Sequence, residues 1–219
     1  MSSPAKPGKR PYELGKRLEQ MDENRAAVLR AARELVAGRG YQRFTLESLA
    51  TGSGVTRQTI HNLFGTKAGV LGALLDLIAL EGGMEGMAQV MSAPTGEGLI
   101  ESFVAVFCGF WARERPLLRQ IHAIAVIDPD FGALIEERNR RRLGAATRIL
   151  TRLAGMPAGA ARVLDGPRGQ PMDPALAAKQ AATVTALTSF ELFDRLAELL
   201  GSDAAATGQV SYLVKKALT

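Results

Sequence analysis

Between residues 44 and 65 the chain twice sets a threonine ahead of a short run and twice closes that run with glycine: FTLESLATGSG, then VTRQTIHNLFG. A threonine in that place can accept an orphan backbone N–H of the first helical turn, so Thr45 and Thr56 are expected N-caps. Phe44 ahead of the first helix and Leu49 four residues into it have the spacing of a hydrophobic staple. Glycines at 52 and 54, and at 65, then stop the two helices. Helices this short are not stable alone. They must pack at a sharp angle, with Ala50 as the small residue at the crossing and Leu49, Val55, Ile60 and Leu63 facing inward.

That assignment leaves Arg57, Gln58, His61 and Asn62 together on the outer face of the second helix. An arginine can donate two hydrogen bonds to guanine O6 and N7, and a glutamine can pair similarly with adenine. Thr56, Thr59, His61 and Asn62 can bond phosphates or base edges. An ordinary solvated face would have the same composition. The turn spacing and the charge distribution favour a helix-turn-helix whose second helix enters a DNA major groove. Residues 1–70 hold twelve Lys/Arg against six Asp/Glu, whereas the rest of the chain holds fifteen against sixteen. The basic excess thus lies wholly in the N-terminal third, where a polyanion partner would be met. Lys67 opens the next helix, and a cation there is disfavoured by the macrodipole unless a phosphate joins it.

Along the rest of the chain the periodicity is helical throughout. Aromatic residues make up only 5% of the chain, and Ala and Leu recur, so the expected fold is all-α. Residues 1–20, with three prolines, two glycines and five cations, read as a basic arm. Residues 21–66 form the DNA-binding domain, opening with a helix from about Asp22 to Ala37 that Gly38 and Gly40 end. Residues 67–219 form a second helical domain, with 67–81 as the connecting helix. Within it the expected helices are 97–114, Pro116–Ile127, Phe131–Leu153, Pro174–Gly201 and Ser202–Leu218, and 155–173 is a loop. The run RNRRR at 138–142 could bind an anionic ligand, but a solvated helix face is the expected reading. Met84, Met87 and Met91 read as soft packing, or as the border of a pocket.

Other classes find little support. Cys108 is the only cysteine, so no internal disulfide framework exists, and a reducing compartment fits. Besides it there are only His61 and His122, so no metal-ligand cluster and no cofactor are expected. Nothing near His122 completes a catalytic constellation, so no enzyme is expected. A nucleoid protein would explain the charge but not the long neutral C-terminal half. No leader peptide or membrane span is evident, and the expected location is the cytoplasm.

The stretch FTLESLATGSGVTRQTIHNLFGTKAGVLGALL, with the apolar helix before it, resembles the DNA-binding domain of the TetR family of bacterial transcriptional regulators. The resemblance implies an all-helical homodimer with a three-helix N-terminal domain, joined by a fourth helix to a C-terminal ligand-binding and dimerisation domain. It also implies repression at a near-palindromic double-stranded DNA operator, relieved by a small-molecule effector. Arg57, Gln58, Thr59, His61, Asn62 and Lys67 match family positions that touch DNA, and Thr45 matches a phosphate contact. The family usually has Tyr where this chain has His61, and His or Tyr where it has Leu63, which cannot bond a phosphate.

For the effector, Phe103, Phe107, Phe110 and Trp111 share one helical face, and His122 follows on the next stretch. Such residues could wall a site for a small, largely apolar ligand, or could simply be core. The last two helices carry more apolar residues than one chain's core can hide, and a two-fold interface is expected there.

Overall fold

The computed structural model describes residues 10–38, 44–157 and 173–219, with side chains from residue 15 onward. The described residues form ten α-helices, one short 3-10 turn and no strand. The chain divides into two compact units, residues 1–75 and 76–219. The helix α4 (Lys67–Glu81) contributes to both.

In the first unit α1 (Arg10–Ala37) packs with α2 (Leu46–Ser53) and α3 (Arg57–Phe64). α1 begins at Arg10 rather than near Asp22, so the second half of the expected arm is helical. Pro11 falls in the first turn, where its missing N–H loses no bond, and Gly15 costs only about 1 kcal/mol against alanine. Residues 1–9, the remainder of that arm, and Gly40 lie outside the described residues. Val28, Ala32 and Val36 of α1, Phe44, Leu49 of α2 and Ile60 of α3 are buried together with Val70, Leu71 and Leu74 of α4. Gly52 lets α2 approach α1, since an added Cβ there would lie 3.3 Å from the Cβ of Ala31.

The second unit contains the 3-10 turn Met84–Gly86 and α5 (Met87–Val90). They are followed by α6 (Gly96–Ile127), α7 (Pro129–Ala154), α8 (Pro174–Leu187), α9 (Phe190–Leu200) and α10 (Asp203–Leu218). α6 runs unbroken through Pro116, where two helices were expected. A proline inside a helix costs about 3 kcal/mol. Beyond it Leu117, Leu118, Ile121 and Ile124 are all buried. At about 1.5–3 kcal/mol each, keeping these four in the core outweighs the proline.

Conversely, the single helix expected over Pro174–Gly201 breaks at Thr188 and Ser189. Trp111 Nε1 donates to the Thr188 carbonyl at 3.1 Å, taking the acceptor that a continuing helix would have used. The Leu192 N–H turns instead to Ser189 Oγ at 3.3 Å, which starts α9. Ion pairs at the surface tie these helices together. Arg119 grips Asp194 through two bonds of 2.8 Å and reaches Glu198 at 2.6 Å. Lys215 of α10 meets Glu97 and Glu101 of α6 at 2.6 and 2.5 Å. Most of the expected loop, residues 158–172, lies outside the described residues. Among the described residues no single helix is long and apolar enough to cross a membrane.

Candidate functional site

The two threonine caps form as their spacing predicts. Thr45 Oγ1 accepts the Ser48 N–H at 3.1 Å, and Thr56 Oγ1 accepts the Thr59 N–H at 3.2 Å. Gly54, at φ +70°, closes α2 with its N–H on the Ala50 carbonyl. A side chain there would be strained in the left-handed region, so this turn requires glycine. Thr66 adds a third cap that the sequence reading missed: its Oγ1 accepts the Gly69 N–H at 3.1 Å and starts α4. At Gly69 an added Cβ would collide with the Phe64 carbonyl, so the α3–α4 corner also depends on a missing side chain.

Ile60 is 0% exposed and pins α3 from within. Thr56, Arg57, Gln58, His61 and Asn62 are exposed on its outer side, as is Thr45 at the start of α2. Thr59 differs: it is half-buried, and its hydroxyl lies 2.9 Å from that of Thr56. Lys67 is half-buried at the first residue of α4, and Leu63 is half-buried on α3. Two contacts organise the outer face. Gln58 Nε2 donates to Asn62 Oδ1 at 3.0 Å, fixing the orientation of both amides. Arg57 Nη1 meets Glu47 Oε2 of α2 at 3.0 Å, with the arginine side chain still 65% exposed. Glu47 was not singled out in the sequence. It precedes Arg57 by ten residues and becomes its neighbour only once the turn is made.

The aromatic residues of the second unit also come together. Phe103 and Phe107 meet edge to face with centroids 5.1 Å apart, and Phe110 lies 4.7 Å from Trp111. All four are buried. Phe190, at the start of α9, joins them 5.8 Å from Trp111 and 4.7 Å from the ring of His122. His122 Nδ1 lies 2.8 Å from Glu191 Oε1, and this contact holds the Glu191 carboxyl down at about 2, against some cost of burial.

The run 138–142 is not the uniform solvated face expected of it. Arg140 and Arg141 are exposed and lean on Glu137, and Arg138 binds Asp76 at 2.6 Å. Arg142 instead turns inward, is buried, and places its guanidinium 5.8 Å over the Trp111 ring. At four residues after Arg138 it shares a helical face with that residue, but only packing decides which member of an arginine run goes in.

Thus the first unit is a helix-turn-helix of the DNA-binding type, and the second is a helical domain with a buried aromatic cluster. Residues 28–74 match the family described as bacterial regulatory proteins, tetR family. The chain therefore carries a TetR-family DNA-binding domain, and its fold is that of a TetR-family transcriptional regulator. No curated protein matches it. Among solved structures it is similar to a TetR-family transcriptional regulator from Syntrophomonas wolfei, with a TM-score of 0.67 at 16% identity over 90% of this chain and 96% of that one. A TetR transcription regulator from Haloarcula marismortui gives a TM-score of 0.61 at 12% identity over 90% and 97%. A transcriptional regulator from Saccharomonospora viridis, in complex with choline, gives 0.56 at 18% identity over 89% and 95%.

Proposed function

We propose that this protein is a sequence-specific transcriptional repressor of the cytoplasm that binds a near-palindromic duplex operator as a homodimer and leaves it when a small, largely apolar molecule binds the C-terminal domain. The observation that carries the reading is the outer face of α3, where Arg57, Gln58, His61 and Asn62 are exposed on a helix pinned by a fully buried Ile60. In a major groove Arg57 would donate to guanine O6 and N7, and Gln58 to an adenine edge. On such a duplex the hydroxyls of Thr45 and Thr56, the His61 ring and Lys67 at the α4 N-terminus would meet phosphates.

Dimerisation is supported by apolar side chains left outside the core. Phe190, Phe193, Val210 and Val214 are consumed by the chain's own interior. Leu199 at 64%, Leu200 and Tyr212 remain exposed on α9 and α10. The effector reading is supported by the aromatic cluster, with Phe103, Phe107, Phe110, Trp111 and His122 as its walls.

Selection of bound duplexes from a random pool tests the core of the proposal. A near-palindrome with half-sites about one helical turn (roughly 34–36 Å) apart, or somewhat more, is expected. Recovery of duplexes with no shared sequence would sink it. Phe107→Trp, which crowds the cluster, should blunt effector response while leaving the DNA affinity of the unliganded protein nearly unchanged. Loss of that affinity would mark the cluster as structural core alone.

A further inference from the structure

Arg142 is only 9% exposed, and its Nε is buried without a hydrogen-bond partner. A charged donor taken out of water and left unmatched is costly, and native proteins rarely keep one without a use for it. Two other arginines of this unit also have an unmatched Nε, but each is anchored elsewhere. Arg115 lies against Asp194 and Asp203, and Arg152 Nη2 donates to the Ala93 carbonyl at 3.0 Å. Arg142 has no such anchor. The carboxylates whose fields reach it, Glu191 and Glu136, are both exposed side chains, and Glu191 is engaged with His122.

What Arg142 does face is the aromatic cluster. Its guanidinium lies over Trp111, which stacks with Phe107 at 6.0 Å and adjoins Phe110 and Phe190. These rings would take the apolar body of a guest, and the sign of its polar end follows from Arg142. A cationic end would meet the guanidinium already seated on the Trp111 face. A neutral apolar guest would leave Nε unmatched and still drier. A carboxylate supplies the missing acceptor, in the planar two-point geometry that a guanidinium fork is shaped to grip.

We infer that the effector of this protein is an amphipathic carboxylate, its apolar body held by Trp111, Phe107, Phe110 and Phe190 and its anionic end received by Arg142. This rests on the effector reading given above and narrows it to one chemical class.

Trp111 is the only tryptophan, so its emission reports the site directly. The probes are octanoate and phenylbutyrate, each beside its alcohol and its trimethylammonium counterpart, titrated into the full-length protein alone and on its selected operator. The carboxylates should shift the Trp111 emission saturably, and release DNA over the same range, at concentrations about tenfold or more below those of their alcohols. Arg142→Met should abolish that preference while the unliganded variant still binds operator and melts no lower than wild type, because a buried unmatched charge is not there for stability. Arg142→Lys, which keeps the charge but loses the fork, should retain only part of the preference.

Equal or tighter binding by the alcohols or ammonium probes overturns the carboxylate assignment but leaves an effector-controlled repressor standing. Silence from all six probes overturns the carboxylate assignment too. If the emission shifts and operator binding is indifferent, the carboxylate site survives and the release mechanism falls. If both Arg142 variants unfold, Arg142 is a structural group and the inference is wrong.

Discussion

Arg57 and Arg142 hold opposite positions in the two units of this chain. Arg57 stands on the rim of α3, 65% exposed and paired with Glu47, and its other donors face solvent. Arg142 is buried, with its guanidinium over the Trp111 ring and its Nε without a hydrogen-bond partner. A residue awaiting a partner in solvent costs nothing, so nothing in its surroundings betrays it. It is recognised only by the pattern it belongs to. A residue awaiting a partner in a dry interior leaves an unmet hydrogen bond, which marks it whatever its sequence neighbours are.

The largest effect that bears on this contrast is in the aromatic cluster itself. Phe103 is fully buried at the end of the cluster away from Arg142. Phe103→Ala should cost about 3–5 kcal/mol of unfolding free energy in chemical denaturation, as a large core side chain does. Gln58→Ala on α3 should stay within about 0.5 kcal/mol. Comparable losses at the two positions would erase the distinction between a dry site and a wet one.

Next in size is the effect on operator binding. Arg57→Ala should weaken it by about 1–3 kcal/mol and relax the preference at one base pair, with little change in melting temperature. Lys67→Ala should weaken all duplexes alike and reduce the slope of log affinity against log salt by roughly one. An Arg57 variant with unaltered sequence preference would show that α3 presents a different face to the groove.

The caps come third. Thr56→Ala removes the acceptor for the Thr59 N–H and should lower stability by about 0.5–2 kcal/mol, a loss measurable by thermal melts without DNA. A neutral outcome would mean that the turn, rather than the cap, sets the start of α3.

The smallest effect tests the charge next to Arg142. The folded-state Glu191 carboxyl sits at about 2, below its ordinary 4.5, chiefly because of the hydrogen bond from His122. A depressed carboxyl stabilises the fold above its ordinary value and loses that contribution as pH falls from about 4.5 toward about 2. Glu191 is itself exposed, so screening limits the contribution to about 0.5–1 kcal/mol. Glu191→Gln should remove that part of the acid sensitivity and leave stability below the window unchanged. An identical acid titration in the variant would show that His122 and Glu191 are not coupled.

The DNA-binding unit was legible because its signals are local. Thr45, Thr56, Gly54 and Gly65 act on backbone groups within four residues, and the apolar positions between them can satisfy only one angle between two short helices. Those signals determined the caps, the turn and the outward set on α3. They could not show that Thr59 is half-hidden behind Thr56 or that Glu47 meets Arg57, because each depends on how the face packs or on a neighbour in another helix.

In the second unit the sequence determined that the elements are helical and which aromatics could share a face. Tertiary structure decided the rest. Burial of four aliphatic residues carries α6 through Pro116, and a Trp111 indole 77 residues away takes the Thr188 carbonyl and divides α8 from α9. One arginine of five consecutive polar residues is drawn against Trp111, while Arg140 and Arg141 stay exposed and Arg138 pairs with Asp76. Periodicity places a side chain on a face, but only the opposing helices fix whether that face meets solvent, a carboxylate or a ring.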